Sequence, residues 1–151
     1  MPSATFAGFH LAGLKLKDKT TNANGRSGID CGNHWQAFEK GNYAERIHEK
    51  VNDDIYAVYF EYEGDHTQPY SYFIGCLVKE AASVPGDMDH LFIPAGEYRH
   101  IVARGTMPDC VAGEWKKIWK SDLERGYRYD FEVYDERSRD WSDATVDIYL
   151  S

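Results

Sequence analysis

The sequence predicts a single α+β domain in which two helices cover a mainly antiparallel sheet. Three observations support this prediction: several segments alternate apolar and polar residues, two segments space apolar residues as helices do, and a strand-helix-hairpin order occurs twice. The chain has 151 residues, of which 42% are hydrophobic and 28% charged, as expected of a folded domain with a buried core. One domain is therefore expected to span residues 1–151.

The chain begins with a predicted strand over residues 6–17, followed by a polar loop over 18–28 that is rich in turn-forming residues. A helix is predicted next, over 30–40, because Trp35 and Phe38 are three residues apart and so share one helical face. The first structural unit therefore starts with a strand followed by a helix.

A β-hairpin is predicted after this helix, with strands over 55–63 and 70–79 joined by a short turn. Alternation places Tyr72 and Ile74 on the same face of its second strand. Gly75 inside that strand predicts a bulge or the close approach of another group.

The second half repeats this order. Strands are predicted over 91–93 and 97–103, and a helix over 109–123, in which Trp115 is one of several apolar residues at helical spacing. Two further alternating segments, 131–136 and 146–150, form the last strand pair.

The last strand pair carries acidic and aromatic residues in alternation with apolar ones. If both apolar faces cover helices, the opposite face of the sheet gathers two carboxylates and two tyrosines, which suits a pocket for a flat or cationic small molecule. The alternative is that this face is only the solvated side of the sheet. The four residues in question are Glu132, Tyr134, Asp147 and Tyr149.

Charge and composition narrow the function classes. The net charge of −8 disfavours a phosphate-binding surface and favours cationic or neutral partners, so no direct contact with nucleic acid is expected. No apolar run is long enough for a membrane span, and no signal peptide is recognisable. Three widely spaced cysteines indicate free thiols in the cytoplasm.

Aromatic residues make up 15% of the chain, led by 11 tyrosines, and this content favours either a wet aromatic cavity or an aromatic core with tyrosines at its margin. The histidines lack metal-site spacing, and no nucleophile elbow, phosphate-binding loop or dinucleotide fingerprint is present. We therefore predict no catalytic residue from motifs, no cofactor and no metal.

A set of short motifs resembles one known group of proteins when taken in order. These motifs resemble the GyrI-like effector-binding domains of AraC- and MerR-type multidrug regulators, in particular the stand-alone, integron-associated effector-binding proteins. The resemblance implies two β-α-β-β units related by a pseudo-twofold axis, a duplication of the SHS2 kind, with a central ligand cleft. The motifs include Trp35-Gln36-Ala37-Phe38, Tyr72-Phe73-Ile74-Gly75, Ile93-Pro94-Ala95-Gly96-Glu97-Tyr98 and Phe131-Glu132-Val133-Tyr134.

The resemblance also implies a site. A buried glutamate at the bottom of an aromatic cleft meets lipophilic cations in family regulators, and Glu132 holds that position here. Tryptophans of amphipathic helices are commonly core residues, so Trp35 and Trp115 have that alternative role. The expected ligand-binding residues are Glu132, Tyr134, Tyr149, Tyr72, Tyr59, Trp35 and Trp115.

The predicted function is to bind small lipophilic, cationic molecules as a stand-alone drug-binding protein linked to transcriptional regulation. The alternative is a GyrI-like hydrolase that opens strained electrophilic rings with Glu132 as general base. A further expectation is a protein partner, either a separate regulator or a second copy of the chain.

Overall fold

The structure is a computed structural model, and it describes residues 2–151. Within these residues the chain forms one eight-stranded antiparallel sheet, three α-helices and three short 3-10 turns. The strands are β1 (Ser3–Phe6), β2 (Phe9–Lys15), β3 (Ile55–Phe60), β4 (Ser71–Val78), β5 (Asp89–Ile93), β6 (Gly96–Gly105), β7 (Tyr129–Tyr134) and β8 (Ala144–Leu150). The helices are α1 (Arg26–Lys40), α2 (Tyr43–Arg46) and α3 (Asp109–Lys120).

The α+β prediction is confirmed, and the sheet shows the expected duplication. The strand order is β1-β6-β8-β7-β3-β4-β2-β5. The first unit is β2-α1-β3-β4 and the second is β6-α3-β7-β8, and the second strand of each unit lies at the middle of the sheet. Each half therefore has the same order when counted from the centre outwards.

The predicted first strand is two strands. A break at residues 7–8 separates β1 from β2, which occupy positions one and seven in the sheet. Because so short a link joins strands that are far apart in the order, the sheet must curl to bring β1 close to β2. The rings of Phe6 and Phe9, from these two strands, are 5.9 Å apart, and each lies within 5.6 Å of the ring of Phe131 in β7.

The bounds of α1 and α3 differ from those that the sequence predicted. The first begins at Arg26 because Gly25 adopts a left-handed conformation, with φ of 70°, and turns the chain into the helix. The second ends at Lys120, three residues before the predicted end.

The two faces of the sheet carry different cores. On one face lies an aromatic and aliphatic core without helices, which includes Leu11, Phe73 and Phe131. The other face is covered by α1, through Phe38, and by α3, through Val111, Trp115 and Ile118. Tyr59 and Tyr134 pack against both helix-covered clusters and so mark the line between the two halves.

Candidate functional site

Glu132 lies at the centre of the sheet, on the face that the helices cover. Its neighbours across the ladder are Ala57 in β3 and Ile148 in β8. The carboxylate side chain is buried, with 1% exposed. The strand alternates, so Phe131 and Val133 take the helix-free face and Glu132 turns toward the helices.

Three side chains donate hydrogen bonds to the Glu132 carboxylate. Its Oε2 accepts from the Tyr59 hydroxyl at 2.8 Å and from the Trp115 Nε1 at 2.5 Å, and its Oε1 accepts from the Tyr134 hydroxyl at 2.6 Å. All three donors are neutral groups. None of the ion pairs within residues 2–151 includes Glu132.

Burial dominates the titration of this carboxyl. Removal from water raises the pKa of Glu132 above its ordinary value, and the bonds from Tyr134, Trp115 and Tyr59 offset only part of that rise. The hydrogen bonds therefore stabilise the charged form of Glu132 without cancelling the effect of burial. Burial also raises the pKa of Tyr59 and of Tyr134, and the adjacent Glu132 adds to both shifts, so these hydroxyls stay protonated as donors.

Aromatic rings surround this carboxylate. The Tyr59 ring lies 5.0 Å from the Trp115 ring and 5.0 Å from the Tyr72 ring. From α1, the Trp35 indole donates to the Tyr72 hydroxyl at 2.7 Å and packs edge-on against Tyr134 at 4.9 Å. We refer to the group formed by Trp35, Tyr59, Tyr72, Trp115, Glu132 and Tyr134 as the Glu132 cluster.

Six of the seven residues expected at the site are thus brought together, and Tyr149 is not. Tyr149 pairs with Phe131 across the ladder, and their rings are 5.1 Å apart on the helix-free face. The expectation that Glu132, Tyr134, Asp147 and Tyr149 share a face away from the helices is wrong. The register of β7 and β8 sets Glu132 against Ile148, so the acidic residue lies on the helix side and Tyr149 on the other.

A second charged group adjoins the cluster and was missed in the sequence analysis. Asp130 precedes Glu132 by two residues on the same face of β7 and is fully buried. It accepts hydrogen bonds from the Tyr62 hydroxyl and from Arg125 Nη2, both at 2.6 Å. The alternation of β7 was the available signal, because it puts Asp130 in phase with Glu132 and Tyr134.

Two findings concern metal binding and membrane-spanning helices. In the part of the chain that the structure describes, no group of three or more His, Cys, Asp or Glu side chains is arranged to hold a metal ion. Over the same residues, none of the helices has the length and apolar character required to cross a membrane.

Comparison with known proteins assigns the family. The whole chain, residues 1–151, matches the Cass2 family, described as integron-associated effector binding protein. This chain belongs to that family. It is an effector-binding protein, and the resemblance to the integron-associated effector-binding proteins is confirmed.

Two further relatives agree with this assignment. The integron cassette protein VCH_CASS2 from the mobile metagenome of Vibrio cholerae is 25% identical, with a TM-score of 0.75, 99% of this chain covered and 94% of that one. YobU of Bacillus subtilis strain 168, whose name proposes a transcriptional-regulator role, is 27% identical over 121 residues, which are 78% of this chain and 76% of YobU.

A third relative shares the fold at lower identity. The structure of SAV2435 bound to tetraphenylphosphonium is 17% identical to this chain, with a TM-score of 0.76, 99% of this chain covered and 91% of that one. The family match supports effector binding by this chain, and the likeness to SAV2435 shows a shared fold. The hydrolase alternative stays a prediction.

Proposed function

We propose that this protein binds lipophilic cations at the Glu132 cluster. The observation that supports the proposal most directly is a buried carboxylate whose hydrogen-bond partners are all neutral. Its donors Tyr59, Trp115 and Tyr134 orient it but supply no positive charge. A cationic effector would supply that charge.

A buried charge without an opposite charge is unfavourable, and proteins commonly respond by shifting the pKa of the group. The raised pKa of Glu132 is the expected response. A bound cation reverses the effect, because an opposite charge at close range favours the ionised carboxylate. Part of the binding free energy would therefore come from charge compensation, which neutral and anionic molecules cannot provide.

The aromatic side chains favour a cation with an apolar body. Indoles reach the cluster from both helices, Trp35 from α1 and Trp115 from α3, and tyrosines reach it from the central strands. Each aromatic face in contact with a cation contributes about 0.5–2 kcal/mol, and burial of the apolar body adds to this. These rings pack on one another in the structure, so a bulky effector must part them.

The neighbour SAV2435 supplies an independent line of support, because it was solved bound to tetraphenylphosphonium, a lipophilic cation. At 17% sequence identity, this comparison shows that the two proteins share a fold and does not show that they share a ligand. Tetraphenylphosphonium is nevertheless the natural first probe.

The proposal can be tested by titrating the protein with tetraphenylphosphonium while following tryptophan fluorescence, since Trp35 and Trp115 lie in the cluster. Tetraphenylborate, an anion of the same shape, controls for apolar burial alone. We expect saturable binding of the cation by the wild type, little binding of the anion, and a loss of cation binding in Glu132→Gln.

A matched control variant is Asp147→Asn, which removes another strand carboxylate whose partners His100 and Arg137 lie away from the cluster. This variant should bind the cation as the wild type does. Equal affinity of wild type and Glu132→Gln, or equal binding of the cation and the anion, would contradict the proposal.

The proposed link to transcription runs through another protein, either a separate regulator or a second copy of this chain. The net charge of −8 opposes direct contact with nucleic-acid phosphates. We expect no shift of duplex DNA by the protein alone in a gel at physiological salt. Salt-sensitive DNA binding would contradict this part of the proposal.

A further inference from the structure

Arg125 is a buried cation whose hydrogen-bonding capacity is only partly used. Its side chain is 3% exposed, and Nη2 pairs with Asp130 at 2.6 Å. Neither Nε nor Nη1 has a hydrogen-bond partner among residues 2–151, although both atoms are buried. A guanidinium carries five N–H donors, so several point at no acceptor.

Such groups are uncommon in folded proteins. Most buried polar side-chain atoms have a partner, because leaving a donor unsatisfied is unfavourable, and more so when the group is charged. Arg125 is also held in place: its guanidinium lies 4.5 Å from the centre of the Tyr127 ring and 5.7 Å from that of Trp115. The free N–H groups on Nε and Nη1 are therefore held in a fixed position, from which they could donate to an acceptor.

This position adjoins the Glu132 cluster. The indole of Trp115 has Arg125 over its ring, and its Nε1 donates to Glu132. The partner of Arg125, Asp130, is two residues from Glu132 on the same face of β7, a separation of about 7 Å along a strand. Tyr59 lies directly opposite Asp130 in the ladder and bonds to Glu132, so it connects the two charged positions.

The surrounding charges indicate what kind of acceptor fits. The charge of Arg125 is already compensated by Asp130. A surface depression of about 350 Å³ is lined by Arg125, Arg99, Glu97 and Glu124 among others, so two further carboxylates face one further guanidinium. An added negative charge is disfavoured there, whereas a neutral carbonyl oxygen can accept from Nε and Nη1 without repulsion.

We propose that Arg125 is a second binding point of the effector site, which receives a neutral hydrogen-bond acceptor such as a carbonyl group. The preferred effectors are then lipophilic cations that carry a carbonyl a few bonds from the charge. This inference rests on the proposed function, since it needs the cation to sit at Glu132.

A matched pair of ligands tests it. Pentyltriphenylphosphonium and the same molecule with a ketone in the distal part of its pentyl tail share the cation and the aromatic body, and differ in one acceptor. We expect the wild type to bind the ketone about tenfold more tightly, the effect of one additional hydrogen bond. Arg125→Lys keeps a positive charge beside Asp130 but loses the planar set of donors, so it should bind both molecules with the affinity of the alkyl cation.

Arg99→Lys is the matched control, because Arg99 lines the same depression and has no assigned part in the site. It should retain the preference for the ketone. If Arg125→Lys does not fold, the Nε–H resonance of Arg125 in the wild-type protein serves instead, and should shift further with the ketone than with the alkyl cation.

The outcomes separate this inference from the proposed function. Equal affinity of the two cations for the wild type, with both lost in Glu132→Gln, would overturn the role of Arg125 and leave the cation site standing. A ketone preference that persists in Arg125→Lys would also overturn it. Failure of both cations to bind would overturn the proposed function and this inference with it.

Discussion

Glu132 and Ile148 are directly opposite each other in the ladder between β7 and β8. This pairing places a carboxylate in the otherwise apolar cluster under α3, where Ile148 packs. The next pair along, Phe131 and Tyr149, takes the opposite face. One register therefore decides which acidic and aromatic residues of the last two strands can act together.

Tyr134 and Tyr149 lie on opposite faces of the sheet, so we expect them to have different roles. Tyr134→Phe removes a donor to Glu132 Oε1, which orients the carboxylate and lowers its pKa. We expect cation affinity to fall by about tenfold, since a hydrogen bond to a charged group contributes roughly 1.5–3 kcal/mol. Tyr149→Phe should leave affinity unchanged. Calorimetric titration of both variants with tetraphenylphosphonium makes the comparison, and a larger loss in Tyr149→Phe would contradict the site.

Cation binding should depend on pH through Glu132. Only the ionised carboxylate compensates the cation, so affinity is constant above the pKa of Glu132 and falls about tenfold per pH unit below it. Because burial raises this pKa above the ordinary 4.5, the fall should begin at a higher pH than for an exposed glutamate. Fluorescence titrations across the acid range would measure it, and Glu132→Gln should show no such dependence.

Glu132→Gln should make the free protein more stable at pH 7. The pKa of Glu132 is higher in the folded than in the unfolded state, so its contribution to stability is present below the unfolded value and is lost as pH rises through the folded one. Each unit of that difference corresponds to about 1.4 kcal/mol, and each kcal/mol to about 2–4 °C in Tm.

Glutamine can also satisfy the same partners as Glu132. Its carbonyl oxygen accepts from Tyr59 and Trp115, and its amide donates to the Tyr134 hydroxyl, which can accept. Thermal unfolding of both proteins from acidic to neutral pH provides the measurement. A wild type that gains stability over the variant as pH rises would contradict the assigned pKa shift.

Gly75 should resist substitution. It lies opposite Gly13 in the ladder of β2 and β4, and a Cβ on it would lie 2.4 Å from the carbonyl oxygen of Ala12. Because the obstacle is backbone, Gly75→Ala should lower the free energy of unfolding by about 1–3 kcal/mol or more. Gly32→Ala, in α1 with nothing within 4 Å, should raise it by roughly 0.5–1 kcal/mol. Chemical denaturation would compare the two, and equal effects would contradict the packing.

Local patterns predicted the elements well where one physical cause dominates. The hairpin of β3 and β4 follows from alternation and a short turn, and Gly75 was correctly expected to mark a close approach. The predicted start of α1 was wrong because the helix begins directly after the left-handed Gly25, without the side-chain capping hydrogen bond that marks many helix starts. The break between β1 and β2 was missed because it depends on the curl of the whole sheet.

By itself, the sequence determined the α+β class, the duplicated units and the family, because periodicity and motif order are local properties of the chain. It also singled out Glu132 and five aromatic residues that the fold brings together. Only the tertiary structure decided that Glu132 faces the helices, that Tyr149 does not, and that Arg125 and Asp130 adjoin the site. Strand register and helix placement set these relationships, and both depend on contacts between residues far apart in the sequence.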